Sequence, residues 1–69
     1  MTLGQKIRNR RKELGYTQEE LAQKTQTSQS YISRLEKDDF NASTQMIISI
    51  AVTLDVSIDY LLLDGRKAS

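Results

Sequence analysis

The chain has 69 residues, a formal net charge of +1, no cysteine and no histidine. That length supports one small domain near the lower limit for a single core. The missing residue types exclude a disulfide framework, the commonest general base and the commonest zinc ligand. No apolar run approaches the roughly 20 residues of a membrane span and nothing at the N-terminus reads as a signal peptide, so a small binding domain of a reducing cytoplasm is expected.

Proline is absent and signals for helix starts recur. Thr2 followed by Gln5 forms a capping box, after which Leu3, Ile7 and Leu14 fall on one face. Gly15 suits the left-handed position that ends a helix. Thr17 followed by Glu20 is a second capping box, with Tyr16 and Leu21 spaced as a hydrophobic staple. This second helix is expected from about Gln18 to Thr25, burying Leu21 and Ala22. Ser28 caps a third helix that runs to about Lys37, and Ser43 caps a fourth with Ile47, Ile50, Ala51 and Leu54 at helical spacing. Ser57 opens a short fifth helix, where Val56 and Leu61 again form a staple. The sum is an all-α, compact five-helix bundle over residues 1–63, followed by a polar C-terminal tail, 64–69, expected to fray or to lead into something else.

Helices two and three are joined by only a few residues, so they must cross steeply. Ala22 is small where the helices approach, and Ile32 faces it ten residues later. These are the ingredients of a helix-turn-helix. On helix three a helical wheel turns Ile32 and Leu35 inward and puts Tyr31 and Glu36 at the margins. Ser30, Ser33, Arg34 and Lys37 face outward, with Gln29 on the shoulder. Gln pairs bidentately with adenine, Arg with guanine and Ser with several groups, so this face suits base edges. A merely solvated helix is the plainer reading, although Glu and Lys are its usual dress. Charge divides the same way: residues 1–37 carry a net +4 and residues 38–69 a net −3. One half is thus suited to a polyanion, although charge alone fits a solvated helix face better.

The run TQEELAQKTQTSQSYISRLEK, preceded by IRNRRKELGY and followed by IAVTLDVSIDYLL, resembles the helix-turn-helix domains of phage lambdoid repressors, Cro proteins and their bacterial (XRE-type) regulator relatives. The resemblance extends from about Leu3 to Leu62. It implies a sequence-specific regulator of transcription, most simply a repressor, that places helix three in the major groove of a double-stranded DNA operator. In that family pattern Gln29, Ser30 and Arg34 occupy base-reading positions. Gln18 contacts a phosphate and braces the start of the reading helix, while Ser28 and Tyr31 stand where backbone or thymine-methyl contacts are made. Lys37, Asn41 and the amides at Ser43–Thr44 are further phosphate candidates.

Glu36, at the edge of the buried stripe, needs a cationic partner, and the wheel admits either Arg10 or Arg11. The family pattern points to Arg11–Glu36 as a structural salt bridge and leaves Arg10 for a phosphate or solvent. On helix four Ile48 is expected to join Leu61 in core contact with the last helix. Val52, Leu62 and Leu63 are candidates for an interface with a second copy. Such a homodimer would set two reading helices about 34 Å apart on a palindromic operator.

The chain departs from the family pattern in two places. Gln26 and Thr27 stand where glycine and an aliphatic residue are usual. The link KDDFNAS lacks glycine and proline, and its Asp38 and Asp39 put negative charge where a phosphate contact is common. Phe40 is expected to pin this link to the core. An antitoxin-like protein-interaction module of the same fold is the alternative reading. No cofactor, metal or enzymatic activity is expected.

Overall fold

In the computed structural model, which describes residues 1–63, five helices follow in order: α1 Leu3–Glu13, α2 Gln18–Lys24, α3 Gln29–Glu36, α4 Thr44–Leu54 and α5 Ile58–Leu62. No strand occurs among the described residues, and no helix among them is long and apolar enough to cross a membrane. The tail 64–69 lies outside the described residues.

Every helix begins on a hydroxyl. Thr2, Thr17, Ser28, Ser43 and Ser57 each accept a hydrogen bond from the backbone N–H three residues on. This satisfies a donor that the first turn otherwise leaves free. At Thr2 and Thr17 the reciprocal bond, from the cap N–H to Gln5 or Glu20, completes a capping box.

Helix ends share a second device. After α1 the N–H of Gly15 reaches Lys12 O and that of Tyr16 reaches Arg11 O. The same double bond recurs at Gln26–Thr27, Asp38–Asp39 and Asp55–Val56. Each is a Schellman motif and needs a left-handed residue. Gly15 (φ 80°) takes that conformation freely, whereas Gln26 (59°), Asp38 (60°) and Asp55 (58°) do not. Aspartate tolerates it better than most residues, but Gln26 bears a steric cost of about 1–2 kcal/mol. Gln26→Gly is therefore expected to stabilise the domain by about 0.5–1 kcal/mol, after the added flexibility of the unfolded chain is subtracted. Urea melts of the two proteins measure this, and an unchanged midpoint would show the turn to be unstrained.

The core gathers Ile7, Leu21, Ala22, Ile32, Leu35, Ile47, Ile50, Ala51, Leu54 and Leu61, drawn from all five helices. Two apolar residues depart from the periodicity reading. Leu14 is the C-cap of α1 and is 37% exposed. Ile48 is 41% exposed: Ile47, Ile50 and Leu54 form the buried face of α4, and Ile48 lies on the ridge beside it. Leu61 is buried as expected. The core also takes two residues that periodicity does not mark. Lys6 is buried, with its Nζ donating to Tyr60 O at 3.0 Å and lying 5.6 Å from the Tyr60 ring centroid. Gly4 is buried against the end of α3. Both tie α1 to elements distant in sequence.

Candidate nucleic-acid interface

Helix α3 buries Ile32 and Leu35 completely, and Ala22 on α2 is small and buried beside them. The two helices are joined by Thr25–Ser28, and the Thr27 N–H donates to Ala22 O. Thr25 is buried without cost because its Oγ1 donates back to Leu21 O at 2.8 Å. Thr27, half-buried, sets its hydroxyl 3.2 Å from that of Thr25. A hydroxyl pair thus fills the place of an aliphatic contact.

The C-terminal end of α3 is held by a buried ion pair. Arg11 Nε donates to Glu36 Oε2 at 2.7 Å and Nη2 to Oε1 at 3.2 Å, while Nη1 donates to Tyr16 O at 2.8 Å. Gln18 Nε2 adds a bond to Glu36 Oε1 at 3.1 Å, and no buried side-chain polar atom among the described residues lacks a partner. Full pairing of this kind is the condition for burying charge. The network continues outward, since Gln29 Nε2 donates to Gln18 Oε1 at 3.4 Å. A chain of bonds therefore runs from the core to the first residue of α3.

Arg10 does not share this role, and its side chain, 26% exposed, is engaged within the bundle. Its Nε donates to Leu54 O at 2.8 Å and its Nη1 to Glu13 at 3.1 Å. Leu54 ends α4, so a guanidinium there satisfies an orphan carbonyl and meets the negative end of the helix dipole. Arg10 thus clamps α1 to α4, a position fixed by a partner 44 residues away.

The outer face of α3 presents Gln29, Ser30 and Arg34, all exposed, with Ser33 half-buried rather than fully outward. Ser28 is exposed at the helix start, and Tyr31 and Gln18 are half-buried at its flanks. Lys37 and Asn41 are exposed beyond its end. None of Gln29, Ser30 or Arg34 contributes to the core.

The link after α3 is built differently from the expectation of charge alone. Asp38 accepts from the Gly4 N–H at 2.9 Å and from Thr2 Oγ1, fastening α1 to the end of α3. Its charge is therefore used internally. Phe40 packs edge-on against Tyr31, with ring centroids 4.9 Å apart at 73°. The Arg34 guanidinium lies over Phe40 at 5.4 Å, and its Nε is 3.6 Å from Asp39 Oδ2. An open cavity of about 280 Å³, lined by Ser28, Ser30, Tyr31, Arg34 and Phe40, adjoins this cluster. Sequence reasoning missed the Arg34–Asp39 pairing because five-residue spacing is not a helical neighbour relation; the left-handed turn at Asp38 creates it.

Comparisons with known proteins agree with this geometry. The Helix-turn-helix family model matches residues 7–61. The chain is 41% identical over 61 residues to the HTH-type transcriptional regulator SinR of Bacillus subtilis, covering 87% of this chain and 55% of that protein. It superposes on the crystal structure of SinR, master regulator for biofilm formation, in complex with DNA, with a TM-score of 0.83 and 40% identity, covering 88% of this chain and 98% of that one. The P22 c2 repressor bound to a synthetic operator gives a TM-score of 0.88 at 30% identity, covering 96% and 98% of the two chains. The chain spans about half the length of the curated relatives it matches. With the family model covering most of its length, the chain belongs to the helix-turn-helix family.

Proposed function

We propose that residues 1–63 are the DNA-binding domain of a cytoplasmic, sequence-specific transcriptional regulator that acts as a repressor. In this reading α3 lies in the major groove of a palindromic operator and two copies bind as a homodimer. The carrying observation is the composition and placement of the outer α3 face. Gln29, Ser30 and Arg34 stand exposed on a helix whose opposite side is fixed by Ile32, Leu35 and the buried Arg11–Glu36 pair. The likeness to SinR and to the P22 c2 repressor, both solved in complex with DNA, supports double-stranded DNA as the ligand.

Gln29, Ser30 and Arg34 are assigned to base edges, with the hydrogen-bonding capacity that adenine and guanine require. Ser28, Gln18, Tyr31, Lys37 and Asn41 are assigned to the sugar-phosphate backbone, where they set register without reading sequence. Val52, Leu62 and Leu63, which are 75%, 55% and 51% exposed, are assigned to contact between two copies. That contact sets the spacing of the reading helices at about one turn of B-DNA. The assigned activity is binding rather than catalysis.

Selection of bound duplexes from a random pool tests the proposal. A two-fold symmetric consensus is expected, with binding that weakens steeply as salt rises because phosphate contacts release counterions. No enrichment would reject the DNA-reading role and leave a protein partner as the object of this surface. Within the consensus, Arg34→Ala is expected to cost about 1–3 kcal/mol and to relax preference at one base pair of each half-site. Equal weakening on every sequence would instead assign Arg34 to phosphate.

A further inference from the structure

We propose that Asp39 and Phe40 form a clamp that aims the Arg34 guanidinium, making Asp39 a positioning residue for base reading although it carries the wrong charge to approach DNA. The inference rests on α3 being the reading helix. Three constraints converge on Arg34: its Nε is at ion-pair distance, 3.6 Å, from Asp39 Oδ2, its guanidinium lies 5.4 Å over the Phe40 ring, and its own backbone carbonyl accepts the Asp39 N–H at 3.0 Å. Phe40 is itself held edge-on by Tyr31. Asp39 follows the left-handed Asp38, which reverses the chain and returns the carboxylate to the last turn of α3.

The geometry leaves one side of the guanidinium unused. Arginine offers five donors in a planar fork, and the Nε edge is the one nearest Asp39. The Nη1 and Nη2 pair has no hydrogen-bond partner among the described residues, and that pair matches the two acceptors, O6 and N7, on the major-groove edge of guanine. Stability does not explain the pairing, because side chains 60% and 55% exposed gain little from an ion pair. Nor does affinity, since a carboxylate beside a polyanion opposes binding. Restricting a long, rotamer-rich side chain before binding does explain it, because ordering that side chain on the DNA is otherwise a cost of complex formation.

The test compares Asp39→Asn, Asp39→Glu and Arg34→Ala by duplex selection and by competition against non-specific duplex, with thermal melts to confirm folding. In the unaltered protein one position of each half-site is expected to select guanine, and Arg34→Ala marks which one. Asp39→Asn is expected to lower guanine preference at that same position by about threefold to tenfold. Its binding to non-specific duplex should hold or rise, because a repulsive charge is gone. Asp39→Glu is expected to restore most of the preference. The clamp is overturned if Asp39→Asn strengthens all duplexes alike with guanine preference intact, or if preference changes at a different base pair, in which case Asp39 reads a base itself. If the unaltered protein selects no sequence, or Arg34→Ala changes no single position, the failure lies with the assignment of Arg34 as a base reader, and the clamp falls with it.

Discussion

Glu36→Ala is expected to remove about 3–5 kcal/mol of stability, the amount typical of a buried ion pair broken on one side. The loss follows from what is left behind. Arg11 and Glu36 are 8% and 7% exposed, and the carboxylate takes two bonds from Arg11 and one from Gln18. Removing it strands two guanidinium donors and a permanent charge in a site that water hardly reaches. A domain of this size has about 3–10 kcal/mol in total, so the loss takes a large fraction of its stability and the variant should melt well below the unaltered protein. Circular dichroism during urea or thermal denaturation measures this. A loss below about 1 kcal/mol would mean that the pair does not hold α3.

Two companion variants separate charge from packing. Glu36→Gln keeps an acceptor for Arg11 and should fall between the unaltered protein and Glu36→Ala. Arg11→Met combined with Glu36→Ala removes both charges and should recover much of the loss, because the desolvation penalty disappears with the pair. Where folding is retained, sequence preference should change less than stability, since among the described residues Glu36 connects to the start of α3 through Gln18 and Gln29. The ion pair acts as an anchor for a helix whose other face has no reason to bury anything.

How much of this was legible in the sequence depended on the range of the interaction. All five N-caps were legible, because a Ser or Thr and the N–H three residues on are local partners. The helix-turn-helix and the outward placement of Gln29, Ser30 and Arg34 followed from periodicity across a single short helix. The left-handed residues Asp38 and Asp55 were not legible, since glycine is the usual marker for that conformation and neither is glycine. Arg10 and Arg11 are adjacent, and a wheel cannot tell that one meets Glu36 while the other meets Leu54 O across the bundle. Lys6 illustrates the same limit. Nothing local predicts that an ammonium group will be buried, because its acceptor, Tyr60 O, lies on the last helix. At the candidate site the residue types were readable one by one, but the grouping of Arg34, Asp39, Phe40 and Tyr31 required the turn after α3.

Gly4→Ala is expected to destabilise the domain by about 2–3 kcal/mol, against the sign that helix propensity assigns to it. Gly4 is the second residue of α1, where alanine would ordinarily gain up to about 1 kcal/mol. A Cβ there, however, would stand 2.6 Å from both Leu35 O and Glu36 O and 2.8 Å from the Glu36 carbonyl carbon. These are backbone atoms and cannot rotate away. The end of α3 is also fastened in place, with the Asp38 N–H bound to Leu35 O and the Asp38 carboxylate bound to the Gly4 N–H and Thr2 Oγ1. To admit a methyl group, α1 must lift from the end of α3, which strains those bonds and the Arg11–Glu36 pair together. Gly15→Ala provides the contrast: no atom lies within 4 Å of its Cβ, so only the φ of 80° opposes the substitution, at about 1 kcal/mol. Urea melts of the two variants therefore distinguish close approach from backbone strain. If Gly4→Ala proved as stable as the unaltered protein, the contact between α1 and the end of α3 would have to be looser than 2.6 Å allows.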